Sequence, residues 1–436
     1  MQRDAMERLR AWKDQPSRKP LLMYGARQVG KSYLLQQFGA ECFENIAYFD
    51  LERQPAARTA FEGELSASTI LRKLEQVDGR RIDPMDTLIV LDEVQASNRA
   101  LASLKYFCED LPGVYVVAAG SLLGVAVRRE GFSAPVGKVE TMTLLPMTFP
   151  EFLRATGHEL MIAGIEESYG TGEPYVLHDQ ALDLFWTYLV VGGMPEAVSA
   201  YVEDGDFERV RSVQGYVSDL YVADMAKYAT PAETARVREA WASIPAQLAK
   251  ENHKFQYSTV KSGGRANRYA AALDWLETAG LVIRCVQVTS GQVPLSTQEN
   301  RAAFKIYQAD TGLLSCSMGL KPSLLLQEDS RKLIDVGALV ENYVAQALVA
   351  RGITPRYWAS QGRAEVDFII EDGTARAVPI EVKSSGNVRS RSLNVYCEKY
   401  QPSRALRLST KNFGYDGLVR SVPLYAAFCI GRDGSN

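Results

Sequence analysis

Eight residues near the N-terminus, Gly25-Ala26-Arg27-Gln28-Val29-Gly30-Lys31-Ser32, fit G-x-x-x-x-G-K-[ST] without a mismatch. An apolar run, Leu21–Tyr24, precedes them, and a helical pattern of Leu34, Leu35 and Phe38 follows. A strand that ends in glycines and runs into a helix turns backbone N–H groups and the positive end of the helix dipole onto one point. That is a cradle for an anion. Lys31 is placed to set its ammonium on the β- and γ-phosphates of a nucleotide, and the Ser32 hydroxyl to take one position on Mg²⁺. The expected nucleotide-binding set is Gly25, Ala26, Arg27, Gln28, Val29, Gly30, Lys31, Ser32 and Tyr33, with ATP and Mg2+ as cofactors.

Downstream, Thr87-Leu88-Ile89-Val90-Leu91-Asp92-Glu93 is an apolar run that ends in two carboxylates, as a buried parallel strand does when its C-terminal end opens on a site. Asp92 is expected to hold Mg²⁺ through water and Glu93 to polarise the attacking water; the alternative is an acid pair that caps a helix. Gln95 could reach the γ-phosphate or a neighbouring subunit. The next strand, from Val114 to Ala119, stops at Gly120-Ser121. Ser121 is expected to sense the γ-phosphate, to cap a helix from Leu122 to Arg128, or both. With an amphipathic segment at 1–13 (Met6, Leu9, Trp12), a strand at 45–49 and helices at about 66–76 and 98–110, residues 1–150 read as a parallel three-layer α/β domain.

With 436 residues the chain has room for two to four domains, and 46% hydrophobic content allows each a core. A net charge of −3 excludes a polycationic coat, so nucleic acid could be held only by a local patch. No apolar run reaches membrane-spanning length and the start of the chain lacks a signal-peptide core, so a soluble, cytoplasmic protein is expected. Six scattered cysteines without a C-x-x-C pair, and three histidines, argue against a disulfide framework or a zinc site.

Residues 151–245 read as helical (151–156, 180–191, 207 to about 225), broken at Gly192-Gly193-Met194-Pro195. Residues 246–334 fit a winged-helix unit: helices at 257–261 and 267–278 around Gly263-Gly264, then a wing of strands at 281–288 and 303–308. Arg265 and Arg268 at the start of the second helix suit phosphate or groove contact, although such units also serve as packing modules. Residues 335–436 open with a helix over 336–350 that carries Glu341. Two strands follow, Val366-Asp367-Phe368-Ile369-Ile370 and Ala377-Val378-Pro379-Ile380-Glu381-Val382-Lys383. Glu381 and Lys383, two apart, share a face, which with Asp367 on the partner strand is the layout of a PD-(D/E)XK nuclease-like sheet. There Asp367, Glu381 and Glu341 would bind metal and Lys383 would polarise water or phosphate; the alternative is a charged edge facing solvent. From Lys383 to Lys411 the chain carries seven basic residues (Lys383, Arg389, Arg391, Lys399, Arg404, Arg407, Lys411) against Glu398 alone, either a patch for a phosphate backbone or a solvated face.

GARQVGKS, IVLDEVQ, AAGSLLG, VGGMPEAV, KIYQADTGLL, VDFII and PIEVKSS, in this order, resemble the AAA-type (AAA+-like) ATPases of bacteria and archaea that carry a C-terminal domain of unknown function. The resemblance covers almost the whole chain. It implies an AAA+-like ATPase core, a winged-helix segment and a nuclease-like C-terminal domain, with Lys31 and Ser32 on phosphate and Mg²⁺, Asp92 and Glu93 as the Walker B pair, and Asp367, Glu381 and Lys383 as the nuclease-type triad. One position departs. Members commonly have arginine after the glycine that precedes the L-P-x-[ST]-F turn, whereas Gly137 is followed by Lys138, a point charge without a guanidinium fork. If this position supplies the γ-phosphate finger, hydrolysis is slow or the finger is Arg128 or Arg129. Two functions follow: an ATPase of a homo-oligomer that acts on DNA through its C-terminal domain, or a nucleotide-controlled switch whose nuclease-like domain is inactive and holds a partner. A small-molecule kinase is disfavoured, because no acceptor pocket can be read from the helical middle.

Overall fold

The computed structural model describes residues 1–121, 137–227, 230–250, 254–360, 364–385 and 391–432. They form two compact units, one of Gln2–Leu145 with Thr278–Gly280, the other chiefly of Pro146–Glu277 and Leu281–Asn436.

The first unit is built on β1 (Leu21–Tyr24), β2 (Asn45–Asp50), β3 (Thr87–Asp92), β4 (Tyr115–Ala119) and β5 (Glu140–Thr143), in the order β2-β3-β4-β1-β5 with every pair parallel. Every residue of β3 is buried, which is why its sequence runs apolar without alternation. Helices Lys31–Cys42, Ala67–Asp78 and Asn98–Asp110 cross between the strands. The last two pack Ile70, Leu74, Leu101 and Leu104 into a core with Phe49, Ile89 and Leu91. The N-terminal helix spans Ala5–Lys13 and buries Met6, Leu9 and Trp12.

In the second unit the helices include Phe149–Ala155, His178–Val191, Pro195–Asp204, Phe207–Lys227 and Pro231–Leu248. Thr148 with Glu151, and Thr230 with Glu233, close capping boxes that fix the starts of the first and last of these. Glu159–Thr171 is a further helix with no counterpart among the expected ones.

The two strands expected as a wing pair as a hairpin that belongs to a larger sheet. β6 (Val282–Val288) and β7 (Glu299–Gln308) pair antiparallel, and β6 then pairs parallel with β8 (Arg356–Ala359). Through β8 the hairpin joins β9 (Glu365–Glu371), β10 (Ala377–Val382), β11 (Ala405–Ser409), β12 (Gly414–Asp416) and β13 (Val419–Pro423) in one eight-stranded sheet, ordered β12-β13-β11-β10-β9-β8-β6-β7. The boundary expected at 334/335 therefore falls between strands of a single sheet. The two helices expected before the wing are present as Tyr257–Val260 and Ala266–Thr278, and Gly264 is required between them because a Cβ there would stand 2.1 Å from the Tyr257 carbonyl oxygen.

The VGGMPEAV and QADTGLL stretches meet in this unit. Asp310, 1% exposed, accepts the Gly193 N–H at 2.6 Å and the Leu313 N–H at 2.9 Å, the latter capping helix Thr311–Ser317. Burial pushes the Asp310 carboxyl up to about 6, against the N–H groups of Gly193, Leu313 and Gly312, which hold it down. A carboxyl raised on folding contributes stability that is full below its unfolded pKa, near 4, and is lost as pH rises through about 6. The free energy of unfolding from urea titrations should thus fall between pH 4 and pH 7 by up to about 3 kcal/mol from this group. Asp310→Asn should flatten that slope while lowering stability throughout; an unchanged slope in the variant would reject the assignment.

Candidate functional site

The phosphate loop has the backbone its sequence asks for. Gly25 (φ 152°) lies where a Cβ would stand 2.4 Å from the Leu144 carbonyl oxygen, and Gly30 (φ 89°) enters the helix Lys31–Cys42 from the left-handed region. Gln28 also takes a positive φ, 66°, without being glycine. Ala26 and Val29 are buried and seat the loop, and Arg3 braces it by donating to the Val29 and Leu145 carbonyls at 2.9 and 2.6 Å. Lys31, 7% exposed, donates to the carbonyls of Gly25 and Ala26 at 3.0 and 2.8 Å, so the ammonium hangs over the loop. Arg27 is half-buried, whereas Tyr33 is 61% exposed.

Asp92 ends β3 beside this loop, 3% exposed. Its Oδ2 accepts the Ser32 hydroxyl at 2.5 Å and also the Tyr48 hydroxyl. Burial first, and then the bond to Asp92, push the Tyr48 phenol well above its usual range, so it remains a donor. The structure thus brings Ser32 and Asp92 together as the motif predicts and adds Tyr48 from β2, which sequence reasoning missed. The only sequence trace of it is a tyrosine two residues before Asp50 in a strand of otherwise apolar character. Two hard oxygens beside a phosphate cradle fit Mg²⁺, which usually takes one or two carboxylates and completes its shell with phosphate and water.

Glu93 follows in the left-handed region, φ 50°, which turns it off the strand. Its Oε2 accepts from the Gln95 amide and, at 3.4 Å, from the Ser121 hydroxyl. Ser121 at the end of β4 is therefore within reach of Glu93; the helix it was expected to cap, and Arg128 and Arg129, lie outside the described residues. Lys138 is not near this site. β5 runs parallel to β1 with Glu140 level with Leu21 and Thr143 level with Tyr24, so Lys138 precedes the N-terminal end of the strands while the phosphate loop follows their C-terminal end. It pairs instead with Glu109 at 2.8 Å. At about 3.3 Å per residue, six residues of strand separate the two levels, too far for a lysine to reach the phosphates of its own chain.

The C-terminal residues also gather. Asp367 falls opposite Glu381, the next position in register after Phe368 and Ile380, and its Oδ2 accepts the Val382 N–H at 2.7 Å. Burial, then the charges of Glu341 and Glu381, hold the Asp367 carboxyl well above the usual range. Lys383 is 2.7 Å from Glu381, whose other oxygen, Oε2, is buried without a hydrogen-bond partner. Glu341, on helix Gly337–Ala350, accepts the Tyr307 hydroxyl at 3.0 Å and lies 3.5 Å from Lys305. Among the described residues no three Asp, Glu, His or Cys side chains are grouped so as to hold a metal. Of the expected set Glu341, Asp367 and Glu381, Glu381 stands 2.7 Å and Glu341 3.5 Å from a lysine ammonium. Lys305 and Glu365 were the residues missed here; a lysine in the apolar run Ala302–Ile306 was the available signal.

Arg265 and Arg268 are both exposed at the start of helix Ala266–Thr278, as the DNA-contact reading requires. The basic stretch is largely spoken for within the chain. Lys383 pairs with Glu381, Arg404 lies 3.6 Å from Asp372, Arg407 is buried 3.6 Å from Asp416, and Lys399 packs over the Trp358 and Tyr400 rings. Arg391 and Lys411 face solvent, and Arg389 lies outside the described residues. No helix among the described residues is long and apolar enough to cross a membrane.

Comparison with known proteins agrees with the N-terminal geometry. Residues 17–153 match the family described as AAA domain, residues 182–324 a domain of unknown function (DUF8612), and residues 336–426 another (DUF4143). No curated protein matches the chain. Among solved structures, the Walker-type ATPase PABY2304 of Pyrococcus abyssi is 15% identical with a TM-score of 0.43, over 72% of this chain and 95% of that one. The ORC2 protein of Aeropyrum pernix, solved as ADPNP and ADP complexes, is 12% identical with a TM-score of 0.37, over 80% and 94%. The ORC1 protein of Aeropyrum pernix, solved in complex with DNA, is 13% identical with a TM-score of 0.29, over 73% and 91%. The AAA-domain match over residues 17–153 spans the phosphate loop and all five strands of the first sheet.

Proposed function

We propose that the chain binds and hydrolyses Mg·ATP at the loop Gly25–Tyr33, and that its nucleotide state governs an assembly. The convergence of Lys31, Ser32 and Asp92 on one point carries this reading. Lys31 would leave the Gly25 and Ala26 carbonyls for the β- and γ-phosphates. Ser32 and Asp92 would hold Mg²⁺, which supplies charge neutralisation to the phosphates. Tyr48 keeps donating to Asp92 and fixes that carboxylate's orientation. Glu93 polarises the attacking water, and Ser121 and Gln95, both on Glu93 Oε2, hold that side chain and link it to the γ-phosphate position. A basic finger from a second copy would complete the site, so a homo-oligomer is part of the proposal.

For the C-terminal sheet we favour the reading in which it grips a partner without cutting it, because Lys305 sits where carboxylates would otherwise meet a metal. DNA held through Arg265 and Arg268 is one such partner. The test is an ATPase assay over a series of protein concentrations, with plasmid cleavage in Mg²⁺ or Mn²⁺ measured alongside. Glu93→Gln should keep ATP affinity and lose turnover by about 100-fold or more, since only the water-polarising carboxylate is removed. Turnover per chain should rise with concentration and the plasmid should stay intact. Parental turnover in Glu93→Gln would reject Glu93 as the base, and cleavage abolished by Lys383→Ala would restore the nuclease reading.

A further inference from the structure

The carboxylates of the C-terminal sheet enclose an ammonium. Lys305 lies on β7 between Phe304 and Ile306 and is 1% exposed. Its Nζ stands 2.7 Å from Glu365 Oε1, 3.5 Å from Glu341 Oε2 and 5.1 Å from the centre of the Tyr357 ring. Burial at this depth works to strip the proton from a lysine, yet Glu341, Glu365 and Asp367 outweigh it and raise the Lys305 pKa above its ordinary value. Tyr307, on the same strand, donates to the oxygen of Glu341 that faces Lys305.

We propose that Lys305 is the built-in cation of this cluster: its ammonium occupies the place between Glu341 and Glu365 that a divalent ion would need, so the sheet presents a metal-free polar site. Two observations converge on it. The ammonium approaches Glu365 to 2.7 Å and lies 3.5 Å from the Glu341 oxygen that a metal would otherwise share. Lys383 takes Glu381 in the same way at 2.7 Å, so two lysines face Glu341, Glu365, Asp367 and Glu381. A divalent ion could enter only by displacing an ammonium from carboxylates buried with it, and that exchange would leave the lysine buried and unpaired.

This inference rests on the reading of the C-terminal sheet as non-cutting, and the experiment separates the two. The full chain carrying Asp92→Asn, which removes the carboxylate at the phosphate loop, is titrated with Mn²⁺ by calorimetry without nucleotide. With Lys305 intact, no binding is expected up to about 1 mM. With Lys305→Met added, which keeps the length of the side chain and removes its charge, one Mn²⁺ site at least about tenfold tighter is expected. A stoichiometric Mn²⁺ site in the Lys305-containing chain, lost on Asp367→Asn, would overturn the proposal, and so would a folded Lys305→Met chain that gains no Mn²⁺. If Lys305→Met does not fold, the titration with Lys305 intact decides by itself. Plasmid cleavage by a chain that binds no Mn²⁺ at this sheet would sink the non-cutting reading and leave Lys305 in its role; Mn²⁺ bound there without cleavage would do the reverse.

Discussion

Alanine at Lys31 is expected to abolish measurable ATP binding while the chain stays folded. The ammonium is the positive charge at the motif's fixed lysine position, beside Arg27 in the same loop, and it is already carried by the loop, 2.8 and 3.0 Å from two of its carbonyls. Charge-assisted hydrogen bonds to two phosphates contribute roughly 3–5 kcal/mol together, a loss of about 100- to 1,000-fold or more in affinity. The backbone should not collapse with it. Val29 and Ala26 remain buried, and Arg3 still ties the loop to Leu145. Calorimetric titration with ATP and Mg²⁺, with thermal melting of the same sample, reads both halves. Parental affinity would remove the nucleotide assignment, whereas a collapsed melting temperature would show that Lys31 is there for the loop and not for the ligand.

What could be read in the sequence was what is local along the chain. The phosphate loop is eight consecutive residues, and its glycines are required by their own φ angles and by the Leu144 carbonyl close to Gly25. β3 announces itself because burial on both faces leaves no polar position between Thr87 and Asp92. Pairing is different, since it depends on register between distant segments. Tyr48 reaches Asp92 only because β2 lies beside β3 with Tyr48 level with Val90. The wing strands were visible as a hairpin, but β6 pairs with β8 some seventy residues on, and hydropathy carries no record of such a contact. Lys138 shows the same limit from the other side: only the register of β5 tells that it lies away from the phosphate loop of its own chain. Lys305 reads from sequence as one polar residue in an apolar strand. Its partners, Glu341 on helix Gly337–Ala350 and Glu365 on β9, lie 36 and 60 residues on, and only the folded chain discloses them.

Gly193→Ala should be the most damaging single methyl group in the second unit. A Cβ at this position would stand 2.0 Å from the Met147 carbonyl oxygen and 2.7 Å from its nitrogen, and both are backbone atoms that cannot swing aside. The contact is close because it is bonded on both sides: the Met147 N–H donates to the Gly193 carbonyl at 2.6 Å, and the Gly193 N–H donates to Asp310 at 2.6 Å. Tyr188 adds its hydroxyl on the Met147 carbonyl at 2.7 Å, and Gln346 donates to that hydroxyl at 2.8 Å. Moving either strand of this crossing breaks hydrogen bonds in a region without water to replace them, and leaves the Asp310 carboxylate short of a donor. Overpacking together with one or two unmade buried bonds costs about 4 kcal/mol or more, a large part of a typical domain's stability. Gly215→Ala, inside helix Phe207–Lys227 with nothing within 4 Å of its Cβ, is the matched control and should gain roughly 1 kcal/mol from helix propensity. Urea unfolding of the two variants should therefore move in opposite directions from the parent. If Gly193→Ala is as stable as Gly215→Ala, the Gly193–Met147–Asp310 crossing is not a keystone of this unit, and the meeting of VGGMPEAV with QADTGLL has another explanation.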